Sequence, residues 1–458
     1  MIHALGILEA NALMLLLGYF LLPLLGFRSR PLVDRLLLAY AVGLASGGVL
    51  AATLALVFVP LDAPVLFVAV VCVFAGWWRW GRHERSSATV PALDAVSAIV
   101  LAVPVLLLAR AVTLFAVRPL HEFDGWVIWA TRARALYEFS GPAAPVFTDP
   151  TYPALQHPLL LPALEATDAH FMGAWDGTVM HLQLLGFAIA FVGGTWALLR
   201  PYVWQPLLAG VLAAVVAAPA VLDQLATNYA DVPLALFVAL GVAPIALWMT
   251  HGERELLVAS ALFLGAAALT KNEGELFAVC ALAAAAATGG RRRLRPIALT
   301  AAAVAAIDAP WRIWIATHHV KISEYSLSNA FDPGFLRARW SRVGPSAHEL
   351  LTQIVRVQAW GYLVALALVG VAGAFVVRAP RRGAFVSLWL LLSFAGMVVI
   401  YWISTNPVTN NLYNSSNRTV DSIVVGAAAA VPALLAPVEA MGPSRGRVEH
   451  RELEETAR

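Results

Sequence analysis

Apolar runs of about twenty residues, parted by short polar connections, recur along the whole chain. A helix needs about 20 mostly apolar residues to cross the hydrocarbon core of a bilayer, and by that measure about thirteen segments qualify. They begin near Leu5, Leu36, Pro64, Leu93, Gly177, Gln205, Val232, Glu255, Glu275, Pro296, Leu350, Gly383 and Thr419. The eighth and ninth are short and read as the arms of a helical hairpin. The pattern predicts an all-α polytopic membrane protein with amphipathic helices in its outer loops. Composition agrees: of 458 residues, 60% are hydrophobic and only 13% charged, where a soluble domain carries roughly 25% charged residues.

Arginine orients this array, because short cytoplasmic loops are enriched in Lys and Arg. Arg28, Arg30 and Arg35 follow the first segment, Arg79, Arg82 and Arg85 the third, Arg200 the fifth and Arg254 the seventh. Arg291, Arg292, Arg293 and Arg295 follow the ninth, and Arg378, Arg381 and Arg382 the eleventh. Every second connection is basic, which predicts an external N-terminus and a cytoplasmic C-terminus. The first apolar run has no basic leader region and reads as a retained helix. The polar stretch 441–458 reads as a disordered cytoplasmic tail. Cys72 and Cys280 lie inside apolar runs and outline neither a disulfide framework nor a metal site. Gly43 and Gly47 have the spacing of a helix-packing pair.

The unusual residues collect in the connections predicted to be external. His121-Glu122-Phe123-Asp124-Gly125-Trp126 follows the fourth apolar segment and leads into Trp129, Arg132 and Arg134. With α-helical spacing, Trp126, Trp129 and Ala133 share a face and Arg132 lies opposite, as in a helix lying in the membrane interface. Asp124 then reads either as a cap beside an aromatic anchor or as a carboxylate base held over the membrane surface. Tyr152-Pro153 through His157-Pro158 is a proline-punctuated segment re-entering the bilayer, with His157 either an interfacial histidine or a functional one. Asp231 opens a helix two residues before Pro233, as a cap would. Lys271 sits in the tight Thr270-Lys271-Asn272-Glu273-Gly274 turn, where a lysine at membrane depth costs a few kcal/mol unless a phosphate or a carboxylate pairs with it. Asp308 and Arg312 are four apart and read as an intrahelical ion pair. Arg418 stands on the external side against the positive-inside habit, and guanidinium matches phosphate geometry.

Carboxylates (Glu122, Asp124, Asp231) and cations (Arg132, Arg134, Lys271, Arg312, Arg418) on one side suit a phosphate-bearing substrate and a general base. No phosphate-cradling G-x-x-x-x-G-K loop and no dinucleotide fingerprint occurs, so neither a cytoplasmic nucleotide donor nor a nucleic-acid partner is indicated.

The order of these motifs resembles the GT-C superfamily of polyprenyl-phosphate-sugar-dependent glycosyltransferases. That group includes protein O-mannosyltransferase-like, aminoarabinose-transferase-like and Rgt-like lipopolysaccharide-core enzymes. Four places carry the resemblance: Asp124 before an aromatic, basic helix; Tyr152-Pro153 through Pro158-Leu159; Tyr229-Ala230-Asp231-Val232-Pro233-Leu234; and Leu269 through Gly274. It spans roughly 93–418, so residues 1–92 would be a three-helix N-terminal extension and 93–440 the catalytic module. Where the family has Asp-Glu or Asp-x-Asp, this chain has Glu122-x-Asp124, a pair that in some members holds a divalent ion such as Mg²⁺ or Mn²⁺. The resemblance implies a lipid-phosphate sugar donor bound through Lys271, Arg132 or Arg418. Asp124 would deprotonate an acceptor hydroxyl of a glycan, lipid or protein at the outer face of a bacterial inner membrane, with Glu122 beside it. Asp231, His157, Tyr152 and Arg312 would complete the substrate contacts. The competing readings are a lipid-linked glycan ligase or polymerase, and a lipid or sugar transporter.

Overall fold

The computed structural model describes residues 2–81, 90–115, 119–120, 122–320 and 326–438. His121 and the 441–458 tail lie outside them. Every regular element among the described residues is helical. Among the described residues, eight helices are long and apolar enough to cross a membrane: His3–Leu25, Leu32–Ala55, Ala63–Gly81, Ala95–Thr113, His181–Leu199, Asp231–His251, Arg291–Thr317 and Pro380–Ile403. A ninth is reached if Gln205–Ala217 and Pro219–Leu225, bent by 58° at Ala218, count as one broken span. The expected thirteen are not reached. Arg254–Thr270 has 17 residues, and Leu363–Val376 and Asp421–Leu434 have 14 each. At a rise of 1.5 Å per residue, 14 residues extend about 21 Å, short of a hydrocarbon core of about 30 Å.

Asp231–His251 lies at the centre of the bundle, nearly all of its residues buried, and packs against Asp421–Leu434 and Arg254–Thr270. A helix apolar on every side belongs in such a core. The first two helices pack along each other, and both contact Leu160–Met172, so they are built into the bundle. Glycines let their backbones meet: a Cβ on Gly43 would stand 1.8 Å from the Met14 carbonyl oxygen, and one on Gly18 1.9 Å from that of Ala39. The small-residue spacing at Gly43 therefore marks a true helix crossing.

The two ends of the bundle differ in chemistry. At one, Arg30 meets Glu255 at 2.8 Å, Arg200 meets Asp34 at 2.7 Å, and Arg28 pairs with Glu253. Arg28, Arg30 and Arg200 belong to two of the basic connections of the sequence, and each is paired with a carboxylate. At the other end lie Asp124, Asp231, Lys271 and Arg418.

Candidate functional site

Four chain segments converge at this second end. Asp124 begins a π-helical turn, Asp124–Ala130, which runs into the α-helix Thr131–Phe139. In it the Thr131 amide reaches the Trp126 carbonyl, five residues back, so each turn takes up more chain than an α-turn. The side chains rotate accordingly. Trp126 is left exposed and Trp129 buried, and Arg132, expected on the solvent face, is fully buried. A burial pattern read at 3.6 residues per turn cannot anticipate this shift.

Buried Arg132 donates to the carbonyl oxygens of His157 (2.9 Å) and Ala154 (2.6 Å). It stitches the proline-punctuated segment to the helix and makes no approach to the cavity described below. The indole of Trp311 donates to the Gln156 carbonyl at 3.2 Å and fastens the same loop from another side. Held at both ends, His157 stacks on Trp129 at 5.3 Å and lies 3.4 Å from the Asn272 amide.

Gly125 sets the distance between the first segment and the third. A Cβ there would stand 2.2 Å from the Thr227 carbonyl oxygen, so only glycine lets Asp124 approach the Asn228–Asp231 turn. Asn228 itself adopts a left-handed conformation, φ +56°, which asparagine tolerates better than most residues. Neither Asp124 nor Asp231 caps its own helix. Their carboxylates are turned to cations instead, which settles the cap reading against both.

The charges form one chain. Lys271 Nζ lies 2.7 Å from Asp231 Oδ1 and 3.2 Å from Glu273 Oε1. Arg418 Nη1 lies 3.5 Å from Asp231 Oδ2, and its Nη2 lies 2.6 Å from Asp124 Oδ2. The guanidinium also covers the Tyr229 ring, 4.2 Å from its centroid. One buried carboxylate thus holds two cations side by side, and the second cation holds the carboxylate of Asp124.

All five groups line a cavity of about 640 Å³, within the range of small-ligand sites. His157 and Pro153 form another part of its wall. Met397, Ile400 and Tyr401 come from the end of the Pro380–Ile403 helix. Asn406 lines it just before the Val408–Thr419 helix, and Asn410 and Asn414 line it along that helix.

Of the residues singled out in the sequence, the fold brings Asp124, His157, Asp231, Lys271 and Arg418 together. Tyr152, Arg312 and Glu122 are not on the cavity wall. Arg312 bonds Asp308 at 2.7 Å, as its spacing predicted, and reaches Asn272 and Glu275 besides. In the Glu122–Asp124 pair, the Asp124 carboxylate is bound to Arg418. Among the described residues, no group of three His, Cys, Asp or Glu side chains could hold a metal. Sequence reasoning passed over Glu273, Tyr401 and the asparagines. Only Asn410, Asn414 and Arg418, at intervals of four, carried a signal.

No protein-family model, curated protein or solved structure matches the chain. Its chemistry therefore has to be read from the site itself.

His157 gives that site a pH dependence. Burial, with Lys271 and Arg132 nearby, holds its imidazole well below the ordinary value of 6.5. The unfolded chain gains a proton near pH 6.5 that the folded chain does not accept, so stability falls as the pH drops below that point. Thermal unfolding of detergent-purified protein between pH 5 and 8 should show this loss, and His157→Gln should flatten it. An equally steep profile in the variant would assign the titration elsewhere.

Proposed function

We propose that this chain is an integral-membrane glycosyltransferase that moves a sugar from a polyprenyl-phosphate donor to an acceptor hydroxyl. The observation that carries the reading is the pairing of Lys271 and Arg418 across buried Asp231, with Asp124 bound to the second cation. Two adjacent cations at the end of a membrane bundle match a lipid-borne phosphate. Exposed Phe123 and Trp126 beside them suit the headgroup level.

On this reading the donor phosphate displaces Asp124 from Arg418 and binds beside the two cations that Asp231 holds together. The acceptor oxygen attacks the anomeric carbon, the bond from that carbon to the phosphate oxygen breaks, and the configuration inverts. The hydroxyl proton passes to the freed Asp124 carboxylate, and polyprenyl phosphate leaves as the anion. Because phosphate is already a good leaving group, the protein mainly positions the reactants and neutralises charge. Asp231 acts as a positioning residue, keeping the two cations together while the site is empty. The positive-inside rule puts the Arg28, Arg200 and Arg254 connections in the cytoplasm. The site then faces outward, in a bacterial inner membrane, toward a glycan, lipid or protein acceptor.

Membrane vesicles containing the chain and radiolabelled polyprenyl-phosphate sugars should release free polyprenyl phosphate, and vesicles lacking the chain should not. Failure of every such donor with correctly folded protein would overturn the assignment in favour of transport or of a diphosphate-linked glycan ligase.

A further inference from the structure

The wall of the cavity beyond Arg418 has a chemistry that phosphate binding does not use. Asn414 and Asn410 stand one and two turns before Arg418 on the Val408–Thr419 helix and, with Asn406, line the cavity. Residues four apart share a helix face, so two carboxamides and the guanidinium form one row. From Asn410 to Arg418 this row is about 12 Å long at 1.5 Å per residue. The helix is set in place from both sides. Tyr401 Oη meets Ser415 Oγ at 2.9 Å and Thr419 Oγ1 at 3.1 Å. Arg342 donates to the Ser404 and Asn406 carbonyl oxygens at 2.8 and 2.9 Å. The side-chain carboxamides of Asn410 and Asn414 make no hydrogen bond to other described residues, while the Asn414 backbone carbonyl accepts from Arg418 at 2.8 Å. No charged residue occurs between Ser404 and Asn417.

We infer that Asn410 and Asn414 form a binding subsite for an uncharged sugar, reading its hydroxyls while Arg418 at the end of the row holds the attached phosphate. The phosphate end rests on the transferase reading above; the sugar end rests on the row itself. A carboxamide both donates and accepts, which suits the mixed donor and acceptor character of neighbouring sugar hydroxyls. With no charge of their own, the two carboxamides offer no counter-ion to a uronic acid or to an ammonium-bearing sugar.

The test is equilibrium binding of two tritiated lipids, polyprenyl phosphate and polyprenyl-phosphate hexose, to the full-length chain in detergent. Wild type should prefer the hexose form by about tenfold, the size expected of two neutral hydrogen bonds. Asn410→Ala/Asn414→Ala should erase that preference and leave the bare lipid bound as before. Both positions are exposed and alanine is the better helix former, so the variant should fold. Asn417→Ala, off the cavity, serves as the control and should behave as wild type. A double variant that keeps the preference, or a wild type that has none, overturns the proposal and leaves a merely solvated helix face. Should neither lipid bind, the phosphate assignment fails, and methyl hexosides read by saturation-transfer NMR then decide. A signal lost in the double variant upholds the subsite; an unchanged or absent signal overturns it.

Discussion

Asp124→Asn is expected to reduce release of polyprenyl phosphate by about 10²–10⁴-fold, the usual contribution of a positioned base, while donor binding stays near wild type. Asparagine keeps the shape of aspartate and an oxygen for the Arg418 contact, which measures 2.6 Å in the native protein. What it lacks is the ability to take a proton from the acceptor. The split between turnover and binding is therefore the decisive readout. If Asp124 did no more than anchor Arg418, the variant, which keeps that contact, would leave both donor binding and the maximal rate unaltered. A near-normal rate would move the base elsewhere, with Glu122 the nearest carboxylate in the chain.

The second large effect is expected at Lys271. Lys271→Met removes the closest partner of Asp231, which is only 3% exposed. Breaking a buried pair from one side costs about 3–5 kcal/mol when the remaining charge has no other partner; here Asp231 keeps its 3.5 Å contact to Arg418, which places the loss at or below the lower end. The variant should show a clear fall in thermal stability in detergent and should lose donor binding. Lys271→Met/Asp231→Leu replaces both charges with apolar groups, an exchange that is often neutral or stabilising. It should recover most of the stability and none of the binding. A single variant as stable as wild type would mean that the pair contributes little to the fold. A double variant that binds donor normally would remove Lys271 and Asp231 from the site.

Several site residues were legible one at a time, each through a local conflict. Lys271 and Arg418 drew notice as cations where membrane topology disfavours them, and Asp124 as an acid just past an apolar run. For Lys271 the sequence narrowed the carboxylate partner to Asp231 or Asp124, and the structure pairs it with Asp231, 40 residues away; the partnership of Asp124 with Arg418, 294 residues away, was not legible. The sequence also misplaced Arg132. Its role depends on a π-turn that shifts the helical register, and on two carbonyl oxygens more than twenty residues away.

What the sequence determined by itself was the membrane class, the helical fold and the alternation of basic connections. Each follows from a local quantity, either hydropathy over one helix length or charge within one loop. What only the tertiary structure decided was how many helices reach the length of a span, which carboxylate faces which cation, and which asparagines line the cavity. These depend on where helices cross and how closely they pack, as when Gly125 admits the Thr227 carbonyl and brings Asp124 beside the Asp231 turn. Contacts between distant segments have no periodicity along the chain, so no local pattern records them.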